Sequence, residues 1–187
     1  MLCFMNVDEQ LFLYLNDALS GQWTSVFFTI ATRLGNGWVL AALVVGAFYF
    51  FDRSKLRTHL IPMALSVALG GIVVSGVKVA VDRQRPANHF ADQSIKVHTP
   101  LGTPSDKSFP SGHCQSAFGA AVFLSLLYLP LSPFFLSAAL LVGLSRIALG
   151  VHFPLDVLIG AITGAIFSAL GFYLNCHRLT KKNKLQK

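Results

Sequence analysis

Residues 110–156 read PSGHCQSAFGAAVFLSLLYLPLSPFFLSAALLVGLSRIALGVHFPLD. Two apolar runs, 112–129 and 133–149, are parted only by Pro130-Leu131-Ser132, so two helices must double back in a tight hairpin. A helix needs about 17–25 mostly apolar residues to cross the roughly 30 Å hydrocarbon core of a bilayer, and both runs are near that length. Polar groups collect at the open ends of the hairpin: Pro110-Ser111-Gly112-His113 before the first run, Ser145-Arg146 closing the second, and His152 and Asp156 just beyond. Ionisable side chains in a span cost about 2.5–3.5 kcal/mol each on insertion scales, so they are rare and mark function by default.

Working outward, three more apolar runs reach spanning length, at 35–51, 59–80 and 154–176. The second of these ends at Lys78, followed by Arg85-Pro86 and a polar stretch over 81–109. Before the spans, residues 8–19 place Leu11, Phe12, Leu15 and Leu19 among Asp8, Glu9, Asn16 and Asp17 at helical spacing, the pattern of an amphipathic interfacial helix. The apolar piece 23–32 is too short to cross and is cut off by Gly35-Asn36-Gly37; it suits either a second interfacial helix or the start of a longer tilted span. The expected fold is therefore all-α: a polytopic membrane bundle of about five transmembrane helices preceded by an interfacial amphipathic helix. It forms one domain over 1–187, with interfacial helices at 8–33, a spanning core at 35–176 and a basic tail at 177–187.

Composition agrees. Of the 187 residues 53% are hydrophobic and only 12% charged, against about 25% charged in an average soluble domain. The net charge of +7 does not indicate nucleic acid, because the basic residues lie between apolar runs and in the tail rather than over a soluble face with interleaved aromatics. Cys3, Cys114 and Cys176 have neither ligand spacing nor an even count, and read as packing residues. Met1 to Asp8 carries no basic segment ahead of an apolar core, so no removable signal peptide is expected.

Arg53, Lys55 and Arg57 follow the first span, and Arg178, Lys181, Lys182, Lys184 and Lys187 follow the fifth. By the positive-inside rule both regions face the cytoplasm, which sends every polar cluster to the opposite face. Arg83, Lys96 and Lys107 in the outer loop run against that count.

Each cluster has a chemical reading beside a plainer one. Lys78 and Arg85 are seven residues apart, near one helix face if the helix continues; Pro86 disfavours helical geometry at Arg85, so the helix should end there and turn the guanidinium inward. Guanidinium binds phosphate oxygens in a bidentate manner and Lys acts as a point charge, although two snorkelling cations would look the same. Ser111 is placed to N-cap the next helix, and Gly112 leaves room for an anion at the free amides; the plainer reading is an ordinary cap beside an interfacial His113. Asp156, one turn from His152, can accept the Nδ1–H and leave Nε2 with a free lone pair. Alternatively, Asp156 forms a structural ion pair with Arg146.

Together, K-x6-R-P, P-S-G-H and S-R-x5-H-x3-D occur in order without a mismatch. This pattern resembles the type 2 phosphatidic acid phosphatase superfamily, which also includes vanadium-dependent haloperoxidases. Ser108-Phe109 and residues 150–153 also look like family sequence. The resemblance implies a metal-independent lipid phosphatase without a cofactor. It implies His152 as the nucleophile that forms a phosphohistidine, Asp156 as its orienting carboxylate, and His113 as the acid that protonates the leaving oxygen and then the base that activates water. Lys78, Arg85, Ser111, Gly112 and Arg146 would hold the phosphate. The expected partner is a phospholipid or polyprenyl diphosphate in the bilayer, with the site on the outer face of a bacterial cytoplasmic membrane. A phosphotransferase using the same intermediate, and a non-catalytic lipid-phosphate binding or transport protein, are the alternatives; a haloperoxidase fits poorly with a site at the membrane plane. Outside the motifs, Asp82, Asp92 and Asp106 are the carboxylates near the site, and His89, Lys96 and His98 read as solvated loop residues. Substrate identity and oligomeric state are not legible; the small residues of 160–171 suit close helix packing within a chain or between two.

Overall fold

The computed structural model describes residues 5–93 and 95–185, without the side chain of Asp92. Cys3, Lys187, the Asp92 side chain and the start of the segment read for a signal peptide thus lie outside the described residues.

Among the described residues eight α-helices follow one another: α1 Val7–Ala18, α2 Gln22–Ala31, α3 Gly37–Phe51, α4 Arg53–Val81, α5 Pro86–His89, α6 Gly112–Leu127, α7 Ser132–Ala148 and α8 Pro154–Leu185. Local chemistry explains their starts. Asn6 caps α1 by accepting from Glu9 N, while Glu9 reaches back to Asn6 N, a reciprocal capping box. Asn36 caps α3, accepting from Trp38 N and Val39 N, and Asp52 caps α4. Pro154 opens α8, where its missing N–H costs nothing.

The hairpin predicted around Pro130 is α6 and α7, joined through a short 3₁₀ turn at Leu129–Leu131. Among the described residues, length and apolarity qualify three segments to cross a bilayer, Arg53–His89, Leu129–Ala148 and Pro154–Leu185, or four if the bent pair Gln22–Gly35 and Gly37–Phe51 is one span. Helix α6 has 16 residues and falls short, so the expected count of five is not reached on these criteria. The ambiguous piece 23–32 is a separate helix, α2, whose path bends by 70° into α3. The last helix runs on through Leu185, carrying most of the basic tail as its final turns.

Helix α6 is central. Cys114, Gln115, Ala117, Ala120 and Phe123 are buried from different sides by α4, α7 and α8. The small residues of 160–171 serve this packing: a Cβ at Gly160 would lie 2.4 Å from Ser111 O, and one at Gly164 would lie 2.2 Å from Gln115 O. The α6 and α8 backbones therefore touch within one chain. Gly164→Val should destabilise the fold by about 2 kcal/mol or more, because backbone rather than a movable side chain blocks the methyls; thermal unfolding in detergent measures the loss. Large apolar side chains such as Trp38, Phe51, Leu65, Ile72, Leu170 and Leu174 point outward, as a bilayer-facing surface requires.

Asn175 Nδ2 donates to Thr58 O, and Arg178 donates to Asn175 Oδ1. The start of α4 and the late turns of α8 thus share one end of the bundle. The end of α4, the start of α6, the end of α7 and the start of α8 share the other.

Candidate active site

Helix α4 stops at Val81 rather than at Arg85. Asp82 takes a left-handed conformation at φ 54°, and Arg85 is already extended ahead of Pro86. Lys78 and Arg85 consequently do not share a helix face, yet they meet at one carboxylate. Lys78 Nζ lies 2.8 Å from Asp106 Oδ2, and Arg85 Nη2 lies 2.6 Å from Asp106 Oδ1. Arg85 Nε also donates to Asp106 O. Burial opposes ionisation of Asp106, but the hydrogen bonds from Lys78 and Arg85 outweigh it and hold the carboxyl at about 2.

The α7–α8 turn presents the histidine. Gly150 at φ +70° lets the chain reverse where a Cβ would lie 2.3 Å from His98 O. His152 follows, 2% exposed. Arg85 Nη1 donates to Val151 O at 2.6 Å and stands 3.4 Å from His152 Nε2. On the other edge of the ring, Nδ1 lies 3.4 Å from Asp156 Oδ2 and from Ser108 Oγ. A guanidinium can only donate and a carboxylate can only accept, so the proton belongs on Nδ1 and the lone pair on Nε2 faces Arg85. Burial, reinforced by Arg146 and Arg85 and opposed by the bond to Asp156, holds the His152 pKa near 3. The imidazole is neutral at physiological pH.

Asp156, fully buried, accepts from four donors: Arg83 Nη1 at 2.8 Å, Phe153 N at 2.9 Å, Ser108 Oγ through a short hydrogen bond, and His152 Nδ1. It does not pair with Arg146, as the plainer reading expected. Arg146 instead donates from Nη1 to Thr32 Oγ1 at 2.7 Å, just after α2.

Ser111 stands at the N-cap of α6 but makes no side-chain cap bond. Its Oγ, like Arg146 Nε, is buried with no hydrogen-bond partner among the described residues. Such orphaned groups cost about 1–3 kcal/mol each unless something completes them. Open space lies above Gly112, where an added Cβ meets nothing within 4 Å. His113 packs beside Gly35 and within electrostatic range of Arg146, Arg85, Lys78 and Asp106. All eight residues singled out in the sequence therefore lie at one end of the bundle. The arrangement can bind an anion, hold an unprotonated nitrogen against it, and move a proton on a second imidazole.

Sequence reasoning overlooked Arg83, Asp8, Ser108 and Thr32 as parts of this frame. Arg83 carried a signal, a cation inside the K-x6-R-P segment, but it counted there only against the membrane orientation. Ser108 appeared only as a motif flank. His89 and His98 are partly exposed and also have partners: His89 Nε2 lies 3.1 Å from Glu9 Oε1 and His98 Nε2 lies 2.8 Å from Ser25 Oγ, tying α1 and α2 to the outer stretch. Lys96 is exposed, as expected.

The family model of the PAP2 superfamily matches residues 59–178, which hold every one of these motifs. The solved structure of Aquifex aeolicus LpxE is similar at 32% identity and a TM-score of 0.76, covering 91% of this chain and 97% of that one. A lipid A 1-phosphatase of Rhizobium johnstonii is 27% identical over 87% of this chain, which spans 61% of that protein's length. A decaprenylphosphoryl-5-phosphoribose phosphatase of Mycobacterium tuberculosis is 39% identical over 72% of this chain and 69% of its own. Since the family match over residues 59–178 takes in most of α4 and α8 and all of α6 and α7, with the polar end they build, the chain belongs to the PAP2 superfamily.

Proposed function

We propose that the protein is a lipid phosphatase of the outer face of a bacterial cytoplasmic membrane, removing a terminal phosphate from a membrane lipid through a phosphohistidine on His152. The observation that carries this reading is the pairing on one buried ring: Nδ1 against Asp156 and a free Nε2 against Arg85.

His152 Nε2 attacks phosphorus in line with the lipid oxygen, and the P–O bond breaks as the N–P bond forms. His113 gives its proton to the leaving oxygen, then takes one from the water that attacks phosphorus and breaks the N–P bond. Inorganic phosphate leaves and both imidazoles return to their starting states. Lys78, Arg85 and Arg146, with Ser111 Oγ and the Gly112 amide, take the non-bridging oxygens, so positioning and charge stabilisation supply most of the catalysis. Among the described residues no three His, Cys, Asp or Glu side chains are grouped to hold a metal ion, and the steps above are complete without one.

An apolar tail would suit the cavity beside α6. A cavity of about 440 Å³ between α3, α6 and α7 is lined by Leu34, Leu40, Val44, Ala121, Phe135 and Val142 among others, and reaches Asp52 and Tyr128 at the far end. Two of the relatives named above are a lipid A 1-phosphatase and a decaprenylphosphoryl-5-phosphoribose phosphatase, and these two lipid classes, with phosphatidic acid and phosphatidylglycerophosphate, are the substrates to compare. The basic starts of α4 and late turns of α8 lie opposite the site and support a cytoplasmic C-terminus. The whole chain acts as one domain.

Purified protein in excess chelator should release phosphate from at least one of these lipids, with free phosphate rather than a phosphorylated acceptor as the product. Inactivity on all four would reject the reading. Because a carboxylate and a phosphate compete for the same donors, Asp106→Asn should tighten inhibition by vanadate several-fold. Weaker inhibition would make Asp106 a support for the clamp instead of its competitor.

A further inference from the structure

We infer that Arg83, held by Asp8 of helix α1, is a positioning residue that sets the charge seen by the His152–Asp156 pair; this rests on the functional reading above. Arg83 is a two-ended clamp. Nη1 donates to Asp156 Oδ1 at 2.8 Å and Nη2 donates to Asp8 Oδ2 at 2.6 Å. Its guanidinium lies 4.0 Å above the centroid of the Phe153 ring, between the two residues that would do the chemistry. The same residue acts through its backbone, since Arg83 O accepts from Ser108 N at 2.8 Å while Ser108 Oγ donates to Asp156 Oδ2. One oxygen of Asp156 is thus held by Arg83 directly and the other through Ser108, which Arg83 holds in turn.

Asp8 adds a second hold. Its Oδ1 accepts from Leu155 N at 2.8 Å, satisfying a free amide in the first turn of α8, the turn that carries Asp156. Farther along α1, Asn16 donates to Ile147 O and Ala148 O at the end of α7, and accepts from His98 N. The amphipathic helix therefore braces the whole α7–α8 turn. The side-chain hydrogen bonds of Arg83 and Asp8 go to Asp156, to Leu155 N and to each other, not to the phosphate-binding groups: the relay runs Asp8, Arg83, Asp156, His152.

The signs follow from charge. The charged groups that act on His152 or Asp156 are Arg83 and Arg85 from the segment after α4 and Arg146 from α7; one step out, Asp8 from α1 pairs with Arg83, Asp106 from the loop pairs with Arg85 and Lys78, His113 of α6 lies within range of Arg85 and Arg146, and His89 of α5 pairs with Glu9 of α1. Within that set, Arg83 offsets the negative charge of Asp156 and so disfavours the imidazolium. Asp8 in turn offsets Arg83. Removing Arg83 should make His152 easier to protonate, and removing Asp8 should make it harder. A brace with no electrostatic part would impair both variants without opposite shifts.

The test is the pH dependence of kcat/KM on a lipid phosphate that the wild type hydrolyses, for Arg83→Met, Arg83→Lys and Asp8→Asn. In Arg83→Met the acid limb should move up by roughly half a pH unit or more, with kcat reduced more than KM is raised. Asp8→Asn should move the limb down, and Arg83→Lys should restore its position but not the full kcat, since an ammonium cannot bridge two carboxylates as a fork does. Limbs that stay put, or move the same way in Arg83→Met and Asp8→Asn, would overturn the inference. If the wild type hydrolyses no lipid phosphate, the functional reading fails by itself. The relay is then read from the imidazole ¹⁵N signals of His152 at neutral pH, identified by their loss in His152→Asn. Opposite displacements of the Nδ1 signal in Arg83→Met and Asp8→Asn support it, and unmoved or parallel signals overturn it. Asp8→Asn, at a partly exposed position, keeps the test open should Arg83→Met fail to fold.

Discussion

His152→Ala is expected to lower lipid-phosphate hydrolysis by about 10⁴-fold or more, since it removes the atom that would bond to phosphorus. The protein should remain folded. Among the described residues the hydrogen-bond partners of the ring, Asp156, Ser108 and Arg85, all stand 3.4 Å away, and Asp156 keeps Arg83, Ser108 and the Phe153 amide when it is gone. Lipid-phosphate binding should survive too, because Lys78, Arg85 and Arg146 are untouched. Phosphate release, measured beside thermal unfolding and binding of a lipid phosphate, separates these effects. A folded variant with undiminished turnover would remove His152 from the nucleophile's place.

Asp156→Asn should slow turnover by about 10²–10⁴-fold, the range expected when a buried carboxylate that fixes a histidine tautomer is made neutral. The geometry is unforgiving. All four partners of this carboxylate are donors, so an amide of the same shape must point its NH₂ at one of them whichever way it turns. That mismatch should cost about 1–3 kcal/mol of stability in addition to activity. The pH profile carries a sign as well. Without the carboxylate the imidazolium loses its counter-charge, so the His152 pKa falls further and the acid limb of kcat/KM moves down while the plateau drops. A plateau unchanged from the wild type would argue against any orienting role for Asp156.

Most helices were legible because each apolar run is bounded by a chemical stop: Asn36 and Asp52 as caps, Pro130 in the hairpin turn, Pro154 opening α8. Other boundaries were not. Pro86 pointed to a helix ending at Arg85, whereas the left-handed turn at Asp82 ends it four residues earlier, and the extended Arg85 donates to Asp106 and to Val151 O. Ser111 was a natural cap by type and position, yet its hydroxyl makes no cap bond to α6. The 70° bend between α2 and α3 could not be read from Gly35-Asn36-Gly37, because glycine permits a bend without specifying its angle.

By itself, the sequence determined an all-helical membrane chain, the family pattern in its three motifs, and which side chains are suited to a phosphate. Those properties follow from hydrophobic run length and from residue type at short spacing, both local along the chain. Only the tertiary structure decided who partners whom: Asp156 with Arg83 rather than Arg146, Lys78 and Arg85 with Asp106, and Asp8 from the far N-terminus with Arg83. Charge pairing depends on approach within about 4 Å in three dimensions, where a single ångström decides the strength of the interaction. Residues 8, 83 and 156 reach that distance only because α1, the end of α4 and the start of α8 pack at one end of the same bundle.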